Sequence, residues 1–326
     1  MPVDQQTRRR MGRTGLIALD PDKAFPGYVL YTPMASQGDL YLIDLEGNVA
    51  HQWRMPYAPG LYGYLLPNGN VFYGGKVVDE TWDRFPAWKR FKGGVMIEAD
   101  RHGNVVWEHR DPDHHHDHRR TESGGAMYMT VEPMEPSLAA KVQGGVAGSA
   151  PEGMWADVLV EVDADGNRVW EWRAAEHLDA ERHILTVNDL RDEWSHGNTL
   201  APVPSSLSPL LGGNEEGGVL FSFRNISTVG IVDKASGEIV WELGYETLAQ
   251  QHDPNMLPNG NVLIFDNGSH RRNAGLPFSR AIEVNPANNE IVWEYINPHF
   301  HVDAEGQPVN RVFRATHYLK EDIPWL

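Results

Sequence analysis

Three histidines recur at one place in a repeated stretch of this sequence. His252 lies six residues before Pro258, His196 six before Pro202 and His116 six before Glu122, and a further copy has Leu61 at the same place. An imidazole serves as nucleophile, proton carrier or metal ligand according to what surrounds it. Three converging rings suit either group transfer through one histidine with two helpers, or a three-ligand metal centre. Counting on from the same turns, the end of the following strand carries Lys76, Val131, Arg224 and Asn267. A hairpin returns to the side on which it began, so two cations and an amide are expected to overlook the imidazoles as an anion site. His115 replaces His116 if its loop shifts by one residue, and His317, in Arg314-Ala315-Thr316-His317, is expected on a closing strand. Asp117 and Asp253 each follow a site histidine and are equally suited to orienting an imidazole or capping a strand end.

Two kinds of β-hairpin must position these groups. The first is clearest at Leu257-Pro258-Asn259-Gly260-Asn261-Val262 and again at Leu66-Pro67-Asn68-Gly69-Asn70-Val71, where Asn-Gly signals a tight turn. The second runs into a Val-Trp-Glu strand, as at Gly166-Asn167-Arg168-Val169-Trp170-Glu171. Paired in order, they predict four-stranded blades at about 62–107, 122–172, 196–242 and 252–294. The hairpin Tyr28 to Trp53 lacks a first strand, and Arg311 to Leu319 has no partner after it, so the two ends are expected to share one blade. The expected fold is all-β: a single propeller over 26–326 behind a tail of 1–25, with five blades, or six if the inserts hide another hairpin. Trp107, Trp170, Trp241 and Trp293 are expected to pack between blades. The long inserts 77–92, 132–155 and 173–193 leave from the histidine side, where binding loops gather in repeat proteins. Trp82, Phe85 and Trp88 in the first insert either wall an aromatic pocket or pack on the scaffold.

Composition narrows the function classes. With 326 residues, 41% hydrophobic, the chain can bury a full core, and a formal charge of −17 argues against nucleic acid or anionic membrane as partner. There is no cysteine, which excludes disulfides, thiolate nucleophiles and sulfur-ligated metals. The sequence has neither a run long enough to span a membrane nor the apolar core of a secretory signal, and a cytoplasmic location is expected.

The sequence resembles the bacterial arylsulfotransferases. The resemblance rests on Pro26-Gly27-Tyr28, Leu42-Ile43-Asp44, His115-His116-Asp117, Trp194-Ser195-His196-Gly197-Asn198, Ser222-Phe223-Arg224, Val240-Trp241-Glu242-Leu243-Gly244, Gln251-His252 and Phe265-Asp266-Asn267-Gly268, in that order. It implies a propeller enzyme that moves a sulfuryl group between phenols through a sulfated histidine. His252 then matches the nucleophile, while His116, His196, Asn198 and Arg224 match the groups that hold the sulfuryl oxygens. Lys76, Asn267, His115 and His317 are further candidates for binding an aromatic or anionic small-molecule substrate. No cofactor is implied by that reading. The alternative uses His116, His196 and His252 as ligands to Zn, Fe, Cu or Mn in a hydrolase, hydratase or lyase. A non-catalytic propeller that binds a partner through its loop face is a third possibility.

Overall fold

The computed structural model describes residues 14–149 and 153–256, then 262–265, 280–285, 290–296, 298–302, 308–309, 312–318, 320, 323 and 325. The chain is all-β and built from antiparallel, four-stranded propeller blades, with only short helices such as Trp88–Phe91 and Ala174–His177 in the inserts. It divides into two compact units: 1–78, 93–110 and 277–326 form one, and 79–92 with 111–276 the other.

The first unit holds two complete blades. One comprises Pro59–Leu65, Val71–Lys76, Gly94–Ala99 and Val105–Arg110. In the other, the C-terminal strand Val312–Tyr318 pairs with Tyr28–Pro33, followed by Asp39–Asp44 and Val49–Arg54. The two chain ends therefore share a blade, as the unpaired hairpin required. Gly15–Leu19, assigned above to a tail, is a strand that pairs with Glu290–Ile296 beside Arg280–Asn285. Its Gly-Leu-Ile-Ala-Leu sequence buries Ile17, which gives those residues a reason to leave solvent.

The second unit holds the blades 114–173 and 197–243, each in simple up-and-down order, and the hairpin His252–Met256 with Val262–Phe265. Four complete blades are thus present among the described residues. The strands expected in a further blade at 252–294 form separate two- and three-stranded sheets.

Sequence explains the regularity. In Asp44-Leu45-Glu46-Gly47-Asn48, Asp100-Arg101-His102-Gly103-Asn104 and Asp163-Ala164-Asp165-Gly166-Asn167, the aspartate side chain accepts the asparagine backbone N–H four residues on, at 2.8–2.9 Å. The glycine in each takes a φ of 82–86°, which a side chain would oppose. Outer-strand tryptophans tie each blade to the next within a unit: Trp53 Nε1–H donates to Asp100 O, Trp170 to Lys234 O, Trp172 to Gly237 O and Trp293 to Leu45 O, at 2.9–3.2 Å. A ring buried between blades, with its one polar atom satisfied, fixes their spacing.

Candidate active site

His116, His196, His252 and Arg224 all belong to the second unit. Each histidine lies on or just before the first strand of its hairpin, and each of these strands carries a pairing irregularity close to its histidine. Pairing shifts between Tyr128 and Met129 opposite His118 and His115, between Gly197 and Thr199, and between His252 and Asn255. A bulge re-aims the side chains it displaces. His116 and His196 take left-handed φ angles of 48° and 51°, a conformation that costs a β-carbon-bearing residue energy and concentrates at functional sites.

The third strand differs by one residue. Its left-handed residue is Asp253, at 51°, so His252 occupies the position that His115 holds in its own strand. Both pair with the neighbouring strand just before the bulge, His115 with Met129 and His252 with Phe265. Equal spacing from the turn therefore does not mean equal place on the backbone.

His116 and His196 lie edge to face with centroids 4.7 Å apart. Burial, then the nearby His196, His115, His252 and Arg224, keeps His116 well below the ordinary imidazole value. Burial, then the Arg224 charge, pulls His196 down to about 3. Both rings are neutral at physiological pH.

Each ring has a partner behind it. His116 Nδ1 lies 2.8 Å from Nδ1 of His115, whose Nε2 lies 3.1 Å from Asp157 Oδ1. Burial alone would raise the Asp157 carboxyl, but the adjacent His115 imidazole and hydrogen bonds from Ser195 Oγ and the Gly197 N–H hold it below the usual range. His196 Nδ1 lies 2.8 Å from Glu193 Oε2. Burial, with the Asp157 charge adding to it, pushes the Glu193 carboxyl well above its ordinary value. The surroundings thus shift two buried carboxyl groups of one site in opposite directions, Asp157 down and Glu193 up.

Arg224 stands where the strand Gly218–Phe223 ends, as the register predicts. Its Nη1 donates to Asp189 Oδ1 at 3.1 Å and Asn225 Oδ1 at 2.8 Å, and its Nη2 to Gln250 Oε1 at 2.9 Å. Those bonds fix the guanidinium and use three of its five donors.

Asn198 is fully buried rather than open to a substrate. Its amide donates to Gln251 O at 2.8 Å and its oxygen accepts from Thr199 Oγ1 at 3.0 Å. Thr199 Oγ1 in turn accepts the Asp253 N–H at 3.0 Å. Two side chains of one strand therefore grip the peptide groups on either side of His252. Asp117, also fully buried, accepts from the His118 and Leu200 N–H groups and from Arg119, which anchors the backbone around it.

Lys76 ends a strand of the first unit, and His317 sits on the first unit's Val312–Tyr318 strand, opposite Val29. Asn267 lies outside the described residues. Trp88 and Phe85 of the first insert are buried scaffold. Phe91, which the register did not single out, stacks on His116 at 4.4 Å and meets His196 edge-on at 4.8 Å. Its helix is anchored by the adjacent Lys92, fully buried, whose Nζ donates to Thr81 Oγ1, Pro112 O and Asp79 Oδ2 at 2.7–3.2 Å. Among the described residues, no three of the His, Asp and Glu side chains are grouped to hold a metal ion, and no helix is long and apolar enough to cross a membrane.

No curated protein sequence matches the chain. Among solved structures, it is similar to a protein of unknown function from Bacteroides caccae (TM-score 0.42, 11% identity, 86% of this chain and 80% of that one). It is also similar to a streptogramin B lyase (TM-score 0.40, 10% identity, 91% and 84%) and to the WD40 propeller domain of Doa1 (TM-score 0.35, 11% identity, 90% and 87%). The arylsulfotransferase (ASST) family model matches residues 28–250, a segment that takes in His116, His196 and Arg224 and stops two residues before His252. With more than half of its length matched, the chain belongs to the arylsulfotransferase family.

Proposed function

We propose that this protein transfers a sulfuryl group from an aryl sulfate to a phenolic acceptor in two steps through His252. The observation that carries the reading is a fixed guanidinium beside neutral His116 and His196, in a chain of this family. Sulfuryl transfer needs cations and hydrogen-bond donors around the equatorial oxygens, and an uncharged imidazole to attack sulfur.

His252 Nδ1 lies 3.3 Å from Gln250 O, so its N–H donates there and the lone pair stays on Nε2, the attacking atom. Protonated Glu193 donates to His196 Nδ1, which leaves His196 an Nε2–H donor without adding charge. Arg224 supplies two further donors and the compensating positive charge. Phe91, buried and stacked on His116 with His196 at its edge, packs the two imidazoles in place.

The test is turnover of 4-nitrophenyl sulfate with phenol as acceptor. Expected are release of 4-nitrophenol, formation of phenyl sulfate, and parallel double-reciprocal plots, the mark of a covalent intermediate. His252→Ala abolishes both products. Turnover by wild-type protein through a ternary complex, or undiminished turnover by the His252 variant, would overturn the reading.

A further inference from the structure

The mechanism above uses one side of the site and leaves a fully buried chain of polar groups without a role. Asp157, His115 and His116 are connected in line: Asp157 Oδ1 to His115 Nε2 at 3.1 Å, then His115 Nδ1 to His116 Nδ1 at 2.8 Å. None of the three is more than 4% exposed. A buried carboxylate is costly, and three groups of this chain are committed to it. These are the His115 imidazole, the Ser195 hydroxyl, and the Gly197 N–H, which reaches both oxygens at 3.0 and 2.9 Å, while Ser195 Oγ also accepts the Asp157 N–H at 2.9 Å and so ties the carboxylate to its own strand. Scaffold alone does not require an imidazole pair placed Nδ1 to Nδ1, because one ring must accept and the other donate, and the direction of that bond sets what His116 presents at Nε2.

We infer that Asp157–His115–His116 is a proton relay that removes the hydroxyl proton of the incoming acceptor. It rests on the sulfuryl-transfer reading. In the resting state His115 Nε2–H faces the Asp157 carboxylate, its Nδ1 accepts from His116 Nδ1–H, and His116 Nε2 is an unprotonated base. When the acceptor phenol enters, its O–H bond breaks and an N–H bond forms at His116 Nε2. The Nδ1–H bond of His116 breaks as the Nδ1–H bond of His115 forms. The positive charge then rests on His115 against the ionised Asp157. The phenolate oxygen bonds to sulfur, and the sulfur–nitrogen bond to His252 breaks with its electron pair returning to the ring. His116 is thereby the catalytic base, and His115 and Asp157 act through it as positioning and proton-storing residues. Glu193 sits behind His196 in the opposite state, carrying a proton, so the two carboxyl groups divide the work: one backs a base, the other a donor.

The experiment separates the half-reactions in stopped flow. Wild-type protein is charged with 4-nitrophenyl sulfate, the burst of 4-nitrophenolate is recorded, and discharge is then followed with phenols of graded acidity. In Asp157→Asn, discharge to phenol is expected to slow about 100-fold, the order of a general base contribution. Acceptors already ionised at the assay pH need no base, and with them the variant should approach the wild-type rate. His115→Gln should give the same dependence on acceptor acidity and serves if the Asp157 variant does not fold. Slowing of all acceptors by one factor, or of none, would overturn the relay while leaving the burst and the sulfuryl-transfer reading intact. Absence of any burst from wild-type protein would overturn both.

Discussion

Replacing Asn198 by alanine distinguishes a residue that grips the nucleophile's strand from one that binds substrate. Asn198 has no exposed surface, and its amide reaches Gln251 O at 2.8 Å while its oxygen accepts from Thr199 Oγ1 at 3.0 Å. Truncation removes two buried hydrogen bonds at about 1 kcal/mol each and orphans a buried carbonyl, which itself costs about 1–3 kcal/mol. A loss of roughly 3–5 kcal/mol of unfolding free energy follows, readable in urea titrations at constant m-value. The Gln251–His252 peptide then loses its side-chain anchor, while Asp253 N–H keeps its bond to Thr199 and Gln251 Nε2 its bonds to Ser222 Oγ, Phe223 O and Thr228 O, so His252 is less well placed. Misplacement of a reacting group by about 1 Å costs on the order of 100-fold, and the loss should fall on kcat with KM for the aryl sulfate little changed. A variant of wild-type stability whose defect lies wholly in KM would refute the clamp and restore Asn198 as a direct ligand.

Arg224→Lys keeps the charge but cannot hold Asp189, Asn225 and Gln250 while offering two donors; about 1.5–3 kcal/mol per charged hydrogen bond predicts at least a tenfold rise in KM for aryl sulfates, and an unchanged KM would count against it as the anion ligand. Asp79→Asn leaves Lys92 buried without its counter-charge and should cost about 3 kcal/mol, measured by denaturant unfolding; a neutral outcome would show that the first insert is anchored otherwise. His114, His116 and His196 are each held below 6.5, chiefly by burial, so unfolding takes up protons and their contribution, complete above about pH 6.5, is lost as the pH falls towards their folded values. Glu193, Asp113 and Asp192, raised mainly by burial, act in the opposite sense, stabilising most at low pH and less as it rises. The balance predicts a stability loss of about 1–3 kcal/mol per pH unit between pH 6.5 and 5, and a flat profile there would refute it.

Much of this was legible before any coordinates, and for identifiable reasons. Asn-Gly turns and alternating strands mark hairpins locally, so counting from a turn singles out His116 and His196, whose rings lie 4.7 Å apart, and puts Arg224 at a strand end. The same count misaligned His252 by one, because a bulge adds a residue without leaving a sequence signal. Asn198 was chosen by its neighbours in a motif, which record that it matters and not which way it faces. Asp157, Glu193 and Phe91 were missed for another reason: each reaches the histidines from a different strand or insert, through contacts with no fixed spacing. Glu193, three residues before His196, was the one of the three within sight of the motif.

The most direct measurement is intact mass of the protein after brief exposure to an aryl sulfate without acceptor, followed by peptide mapping under mildly alkaline conditions. One sulfuryl group per chain is expected, located on His252, discharged on adding phenol and absent from His252→Ala. An adduct on any other residue, or none while 4-nitrophenol is still released, would contradict His252 as the nucleophile.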